Sequence, residues 1–148
     1  MQPFVSTVVN KLDAKGHVSV PAHFRQILAA QNLRGVYCIP SFVAPALEAF
    51  GDTLLADFQE RLRKHDPLFS KEHDVEAQAV LGNTQLLNFD DEGRVRLPDE
   101  FIVHAGIAER VTFIGLDRKF QMWDPARFEP IQKERMARAL AIHNGGAS

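Results

Sequence analysis

The segment Leu12-Asp13-Ala14-Lys15-Gly16-His17-Val18-Ser19-Val20-Pro21-Ala22-His23-Phe24 returns 77 residues later as Phe89-Asp90-Asp91-Glu92-Gly93-Arg94-Val95-Arg96-Leu97-Pro98-Asp99-Glu100-Phe101. Asp, Gly, Val, Pro and Phe recur in step. In each copy Asp-x-x-Gly reads as a tight turn, with Asp capping the backbone and Gly supplying φ > 0. Alternation then places Val18 and Val20, or Val95 and Leu97, on one face of a short strand. Pro21 or Pro98 ends that strand and suits the first turn of a helix. Phe24, Ile27 and Leu28 form the helix's apolar stripe in the first copy, Phe101 and Ala105 in the second. Asn32 and Gly106 are the expected helix stops. The likeness continues from Val36-Tyr37-Cys38-Ile39 to Val111-Thr112-Phe113-Ile114, and from Leu47-Glu48-Ala49-Phe50 to Phe120-Gln121-Met122-Trp123. Two copies at so long an offset indicate duplication of a small domain, not a solenoid.

Outside the copies the pattern is helical. Asp52 and Ser70 are expected caps; Leu55, Phe58 and Leu62 form one apolar face, Val75, Ala79 and Val80 another, with Pro67 between them. Asp124-Pro125 pairs a cap with a first-turn proline. It opens an amphipathic helix through Phe128, Ile131, Met136 and Leu140 that Asn144-Gly145 is expected to close. The chain thus divides into a first repeat (1–53), a helical connector (54–82), a second repeat (83–126) and a C-terminal helix and tail (127–148). About four short strands cannot bury both faces alone. The expected fold is therefore α+β, with two duplicated halves closing on each other as a pseudo-symmetric barrel.

Composition narrows the chemistry. At 148 residues, 45% apolar and 24% charged, with eleven Phe, the chain has the makings of a folded core in one domain or two small ones. No apolar run reaches membrane-spanning length and the first residues carry no export pattern, so no membrane contact and a reducing cytoplasm are expected. The single cysteine, Cys38, excludes an intrachain disulfide and a multi-cysteine zinc site, and its apolar strand predicts a buried thiol. Met122 and Trp123 read as core. No phosphate loop, dinucleotide fingerprint or nucleophile elbow is present. His23, His65, His73, His104 and His143 have no carboxylate or cysteine spacing of a metal site. No catalytic residue, metal or cofactor is expected.

Net charge is −2, which argues against coating nucleic acid by charge alone. Its distribution is uneven. Residues 1–46 hold Lys11, Lys15, Arg25 and Arg34 against Asp13 alone, whereas residues 51–80 and 83–123 are each net acidic. With the valines inward, His17 and Ser19 face outward in one copy, and Arg94 and Arg96 in the other. Two guanidiniums on one face suit guanine edges or phosphates. Lys15 stands at the turn's tip with Lys11 nearby. The candidate DNA-contacting set is Lys11, Lys15, His17, Ser19, Arg94 and Arg96. Asp13, Gly16, Asp90 and Gly93 build the turns, and an ion pair from Arg94 to Asp90 is the competing structural role. Arg25 and Arg34 read as helix-surface charges.

The paired segments LDAKGHVSVPAHFR and FDDEGRVRLPDEF resemble the doubled Asp-x-x-x-Arg signature, with its Gly and downstream Pro, of the MraZ family, among the AbrB-like swapped-hairpin DNA-binding proteins. The likeness extends over nearly the whole chain. In the first copy His17 stands where the family has Arg; Arg94 keeps it. The resemblance implies a swapped-hairpin barrel built of two SpoVT-AbrB-type repeats. It further implies a transcriptional regulator, a repressor of the division and cell-wall gene cluster, binding direct repeats in double-stranded promoter DNA as a ring-shaped homo-oligomer in the nucleoid. The alternatives are a general AbrB-like regulator or antitoxin-type DNA binder, and a ring-forming structural module whose DNA face has decayed.

Overall fold

A computed structural model of the chain describes residues 2–145. The first copy supplies β1 (Thr7–Lys11), β2 (His17–Ser19), α1 (Ala22–Ala30), β3 (Gly35–Pro40) and β4 (Leu47–Phe50). The connector supplies α2 (Asp52–Leu62) and α3 (Lys71–Val80). The second copy repeats the order with β5 (Gln85–Asn88), β6 (Arg94–Arg96), α4 (Asp99–Ala105), β7 (Arg110–Leu116) and β8 (Lys119–Trp123), and α5 (Pro125–Gly145) follows.

The α+β class expected from the sequence is formed, and the strands show how the copies combine. Six strands make one antiparallel sheet in the order β1-β7-β8-β4-β3-β5, and β2 and β6 make a separate two-stranded ribbon. Each copy's first strand pairs with the third strand of the other: β1 on β7, β5 on β3. The copies therefore exchange strands instead of folding side by side. Among the described residues hydrogen bonding does not trace the closed barrel expected from the pattern. β1 and β5 end the sheet as its edges, and β2 and β6 span three residues each, cut short by Pro21 and Pro98, which offer no N–H to a ladder.

The core lies between the sheet and the ribbon. Val18, Val20, Val95 and Leu97 point into it, beside Phe24 and Leu28 of α1 and Phe101 of α4. Phe4, Phe24 and Phe120 meet at its centre with ring centroids 4.6–5.3 Å apart. Cys38 is fully buried, and burial pushes its thiol pKa far up, so it is an apolar filler. A smaller cluster joins Trp123 and Ala46 to Phe128 of α5. There the indole N–H donates to Gln121 Oε1 (2.8 Å), and Gln121 Nε2 donates to the Glu48 carboxylate (3.0 Å), which also pairs with Lys119. The polar groups beneath Trp123 are thereby satisfied.

Several local expectations are met. Ser70 caps α3 by accepting from the His73 N–H, Gly106 closes α4 at φ 62°, and Asp124 precedes Pro125 and accepts from the Ala126 N–H. Three need correction. Asp52 is the first residue of α2 and not its cap; the flanking residue is Gly51, and the Thr53 N–H donates instead to the side chain of Gln31, the residue that follows α1. The face of α2 is only half-covered except at Leu62, and Val75 of α3 is exposed. In α5 only Phe128 is buried, with Ile131 packed against it, while Met136 and Leu140 are exposed. Asn144 and Gly145 are still helical, so the closing of α5 lies outside the described residues.

Candidate nucleic-acid interface

The site begins with two carboxylates. Asp13 Oδ1 accepts from the N–H groups of Lys15 (2.9 Å) and His17 (2.8 Å); Asp90 Oδ1 accepts from those of Glu92 and Arg94 (both 2.9 Å). Gly16 and Gly93 sit at φ +87° and +76°, where a Cβ would be strained. The glycine carbonyls then reach across the duplication. Gly16 accepts from the Leu97 N–H (2.9 Å), and Gly93 from the Val20 N–H (3.2 Å). Each turn is locked to the strand of the other copy.

That lock sets the register of the ribbon: His17 opposite Arg96, Val18 opposite Val95, Ser19 opposite Arg94. Directly opposed residues share a face. The two pairs expected on separate copies therefore form one outward surface of four side chains, with the valines beneath.

The four differ in freedom. Arg94 Nε donates to Asp90 Oδ2 (2.9 Å) and lies 3.7 Å from Glu92, while its Nη1 is 3.8 Å from Asp13. Its pKa is raised, first by that side-chain hydrogen bond to Asp90. Three carboxylates thus hold Arg94, and the competing structural role is present in the geometry. Arg96 is exposed, and its Nε donates to the Lys15 carbonyl (3.2 Å). His17 is 26% exposed; its Nδ1 is buried 3.5 Å from Asp13 Oδ2, within ionic reach but without hydrogen-bond geometry. Ser19 is exposed, and its carbonyl accepts from Asn10 Nδ2 (2.7 Å).

Charge sorts itself along the ribbon. At one end Lys15, His17 and Arg96 border a hollow of about 540 Å³ together with Asp13 and Asp99. Next to it Lys11 and Arg110 stand opposite each other in the β1–β7 pair, on the rim of an adjoining depression with Asp13 and Glu109. At the other end the turn carries Asp90, Asp91 and Glu92. There Arg25, expected on a helix surface, donates to the Val20 carbonyl and lays its guanidinium against Gly93. Sequence reading missed Arg110, because only the pairing of β1 with β7 places it beside Lys11.

No helix among the described residues is long and apolar enough to cross a membrane. Residues 80–142 match the family model described as "MraZ protein, putative antitoxin-like". The protein called Transcriptional regulator MraZ in Azorhizobium caulinodans is 43% identical over 128 residues, 86% of this chain and 81% of the relative. Its namesake in Beijerinckia indica is 44% identical over 128 residues, covering 86% and 77%. The one in Rhizobium johnstonii is 37% identical over 142 residues, 95% of this chain and 97% of that one. With its doubled turn-and-ribbon signature and relatives 37–44% identical over 77–97% of their length, this chain belongs to the MraZ family.

Proposed function

We propose that this protein is a sequence-specific, non-enzymatic DNA-binding transcriptional regulator, a repressor of the division and cell-wall gene cluster acting at promoter direct repeats in the nucleoid of the cytoplasm. The observation that carries the reading is the outward face of the β2–β6 ribbon. It is two strands wide, at one end Lys11, Lys15, Arg96 and Arg110 outnumber Asp13, Asp99 and Glu109, and a two-stranded ribbon fits the major groove of B-DNA. Lys15, Arg96, Lys11 and Arg110 supply phosphate or base-edge contacts; His17 and Ser19 sit among them as hydrogen-bonding groups; Arg94 stiffens the turns from its carboxylate cage. In this reading the chain is two AbrB-like repeats (1–53 and 83–126) in a swapped-hairpin barrel, joined by the 54–82 connector and followed by 127–148.

One head with a few phosphate contacts binds weakly, since each contact adds only about 0.9 to the salt slope. Several heads in a ring-shaped homo-oligomer raise avidity by roughly 10²–10⁴ when they share one duplex, and head-to-tail assembly suits directly repeated sites. Fluorescence anisotropy on the protein's own upstream DNA across a salt series tests this. Lys15→Ala and Arg96→Ala are each expected to weaken binding and lower the slope by about 0.9 per head engaged. Arg94→Ala is expected to lower thermal stability more than the slope. Absence of binding at low salt would overturn the reading in favour of a ring-forming interaction module.

A further inference from the structure

Two large apolar side chains stand in water at the turn between α2 and α3. Leu68 is 80% exposed and Phe69 86%. They are held there, because Asp66 Oδ1 accepts from the N–H groups of both (2.8 and 3.2 Å) and Ser70 caps the helix that follows. A fixed exposed apolar pair of this kind marks a contact surface. The side that follows it is acidic, with Glu72, Asp74 and Glu76 joining Asp66 against Lys71, whereas Arg61, Arg63 and Lys64 precede it.

A complementary hollow lies elsewhere on the molecule. About 390 Å³ in volume, it is floored by Phe50, Leu54, Leu55, Phe58 and Val80. Its rim carries Arg61, stacked over Phe58, and Arg118, paired with Asp57, so cations outnumber anions there. Neither Leu68 nor Phe69 lines this hollow.

We propose that the Leu68-Phe69 turn of one copy docks into the Arg61–Arg118 hollow of a second copy of this chain. The apolar pair fills the floor, and the acidic first turns of α3 meet the cationic rim. Because knob and hollow are different patches, the contact is heterologous, and every copy both gives and receives one. The other exposed apolar turn, Phe42-Val43, has no charged residue between Ser41 and Ala46 to meet the arginines. The proposal gives the self-association proposed above its contact, and it rests on that reading.

The test uses the full chain without DNA. Light scattering after size exclusion should show wild type and Phe42→Asp as oligomers, and Phe69→Asp and Arg61→Glu at the mass of a single chain. All three substitutions are at exposed positions, and circular dichroism verifies folding. Under mild oxidation Phe69→Cys mixed with Arg61→Cys should form a mixed disulfide, while neither variant cross-links to itself; buried Cys38 does not compete. Oligomeric wild type unaffected by Phe69→Asp, or dispersed by Phe42→Asp instead, overturns this contact alone. Monomeric wild type overturns the contact and the self-association together, and leaves DNA binding to be judged by anisotropy.

Discussion

Asp13 and Asp90 occupy equivalent places in the two copies, and both have pKa values below the usual carboxylate range. The leading cause is a backbone N–H, that of His17 for Asp13 and that of Arg94 for Asp90; Arg94 then adds its side-chain hydrogen bond to Asp90. A carboxyl whose folded pKa is depressed stabilises the fold fully above its unfolded value, near 3.9, and loses that contribution as pH falls through the folded value. Asp90 is exposed and Asp13 only half-buried, so solvent screening keeps the effect modest. Asp90→Ala is expected to lower Tm at pH 7, with the gap to wild type narrowing below about pH 4. Thermal denaturation of both proteins at pH 7 and pH 3 checks this. The turns were legible in the sequence because both backbone N–H groups that donate to the Asp13 carboxylate lie within four residues of it along the chain. The sharing of Asp13 between His17 and Arg94 was not, since it needs the ribbon's register.

Among the helices and strands, those set by local pattern were legible in the sequence and those completed by a distant partner were not. Alternation identified β2 and β6, and the valines beneath them are 0–1% exposed. Gln31 shows the opposite case. It follows α1, and its side-chain oxygen accepts from the Thr53 N–H in the first turn of α2, 22 residues on, which no short-range pattern announces. Gln31→Ala is expected to cost about 0.5–2 kcal/mol, the range for losing a helix cap, measured by urea denaturation. In α5 the apolar repeat is present in the sequence, yet the fold covers only the end at Phe128 and Ile131. A hydrophobic period tells which residues seek cover, not whether the same chain supplies it.

For the whole molecule, exchange of strands between the copies is the governing fact. β1 depends on β7 and β5 on β3, so each half lacks a neighbour that the other supplies. Residues 1–53 alone and 83–126 alone are expected not to fold as monomers, whereas a mixture of fragments 1–82 and 83–148 should regain strand structure. Far-UV circular dichroism and size exclusion of each piece and of the mixture check it. A half that folds singly would show that its own first and third strands can pair. The repeat itself was plain from the sequence; which copy's strand lies against which was not, because an internal duplication is equally compatible with two separate units.

Linking the halves covalently has a consequence for how the ribbon could change. In a pair of identical subunits any substitution in one turn appears in the other, so both poles must carry the same charge. A single chain with two copies escapes that obligation. Lys15 at one pole answers to Glu92 at the other, and His17 and Ser19 to Arg94 and Arg96. With both copies in one chain the dyad is inexact, and each pole can change without altering its twin.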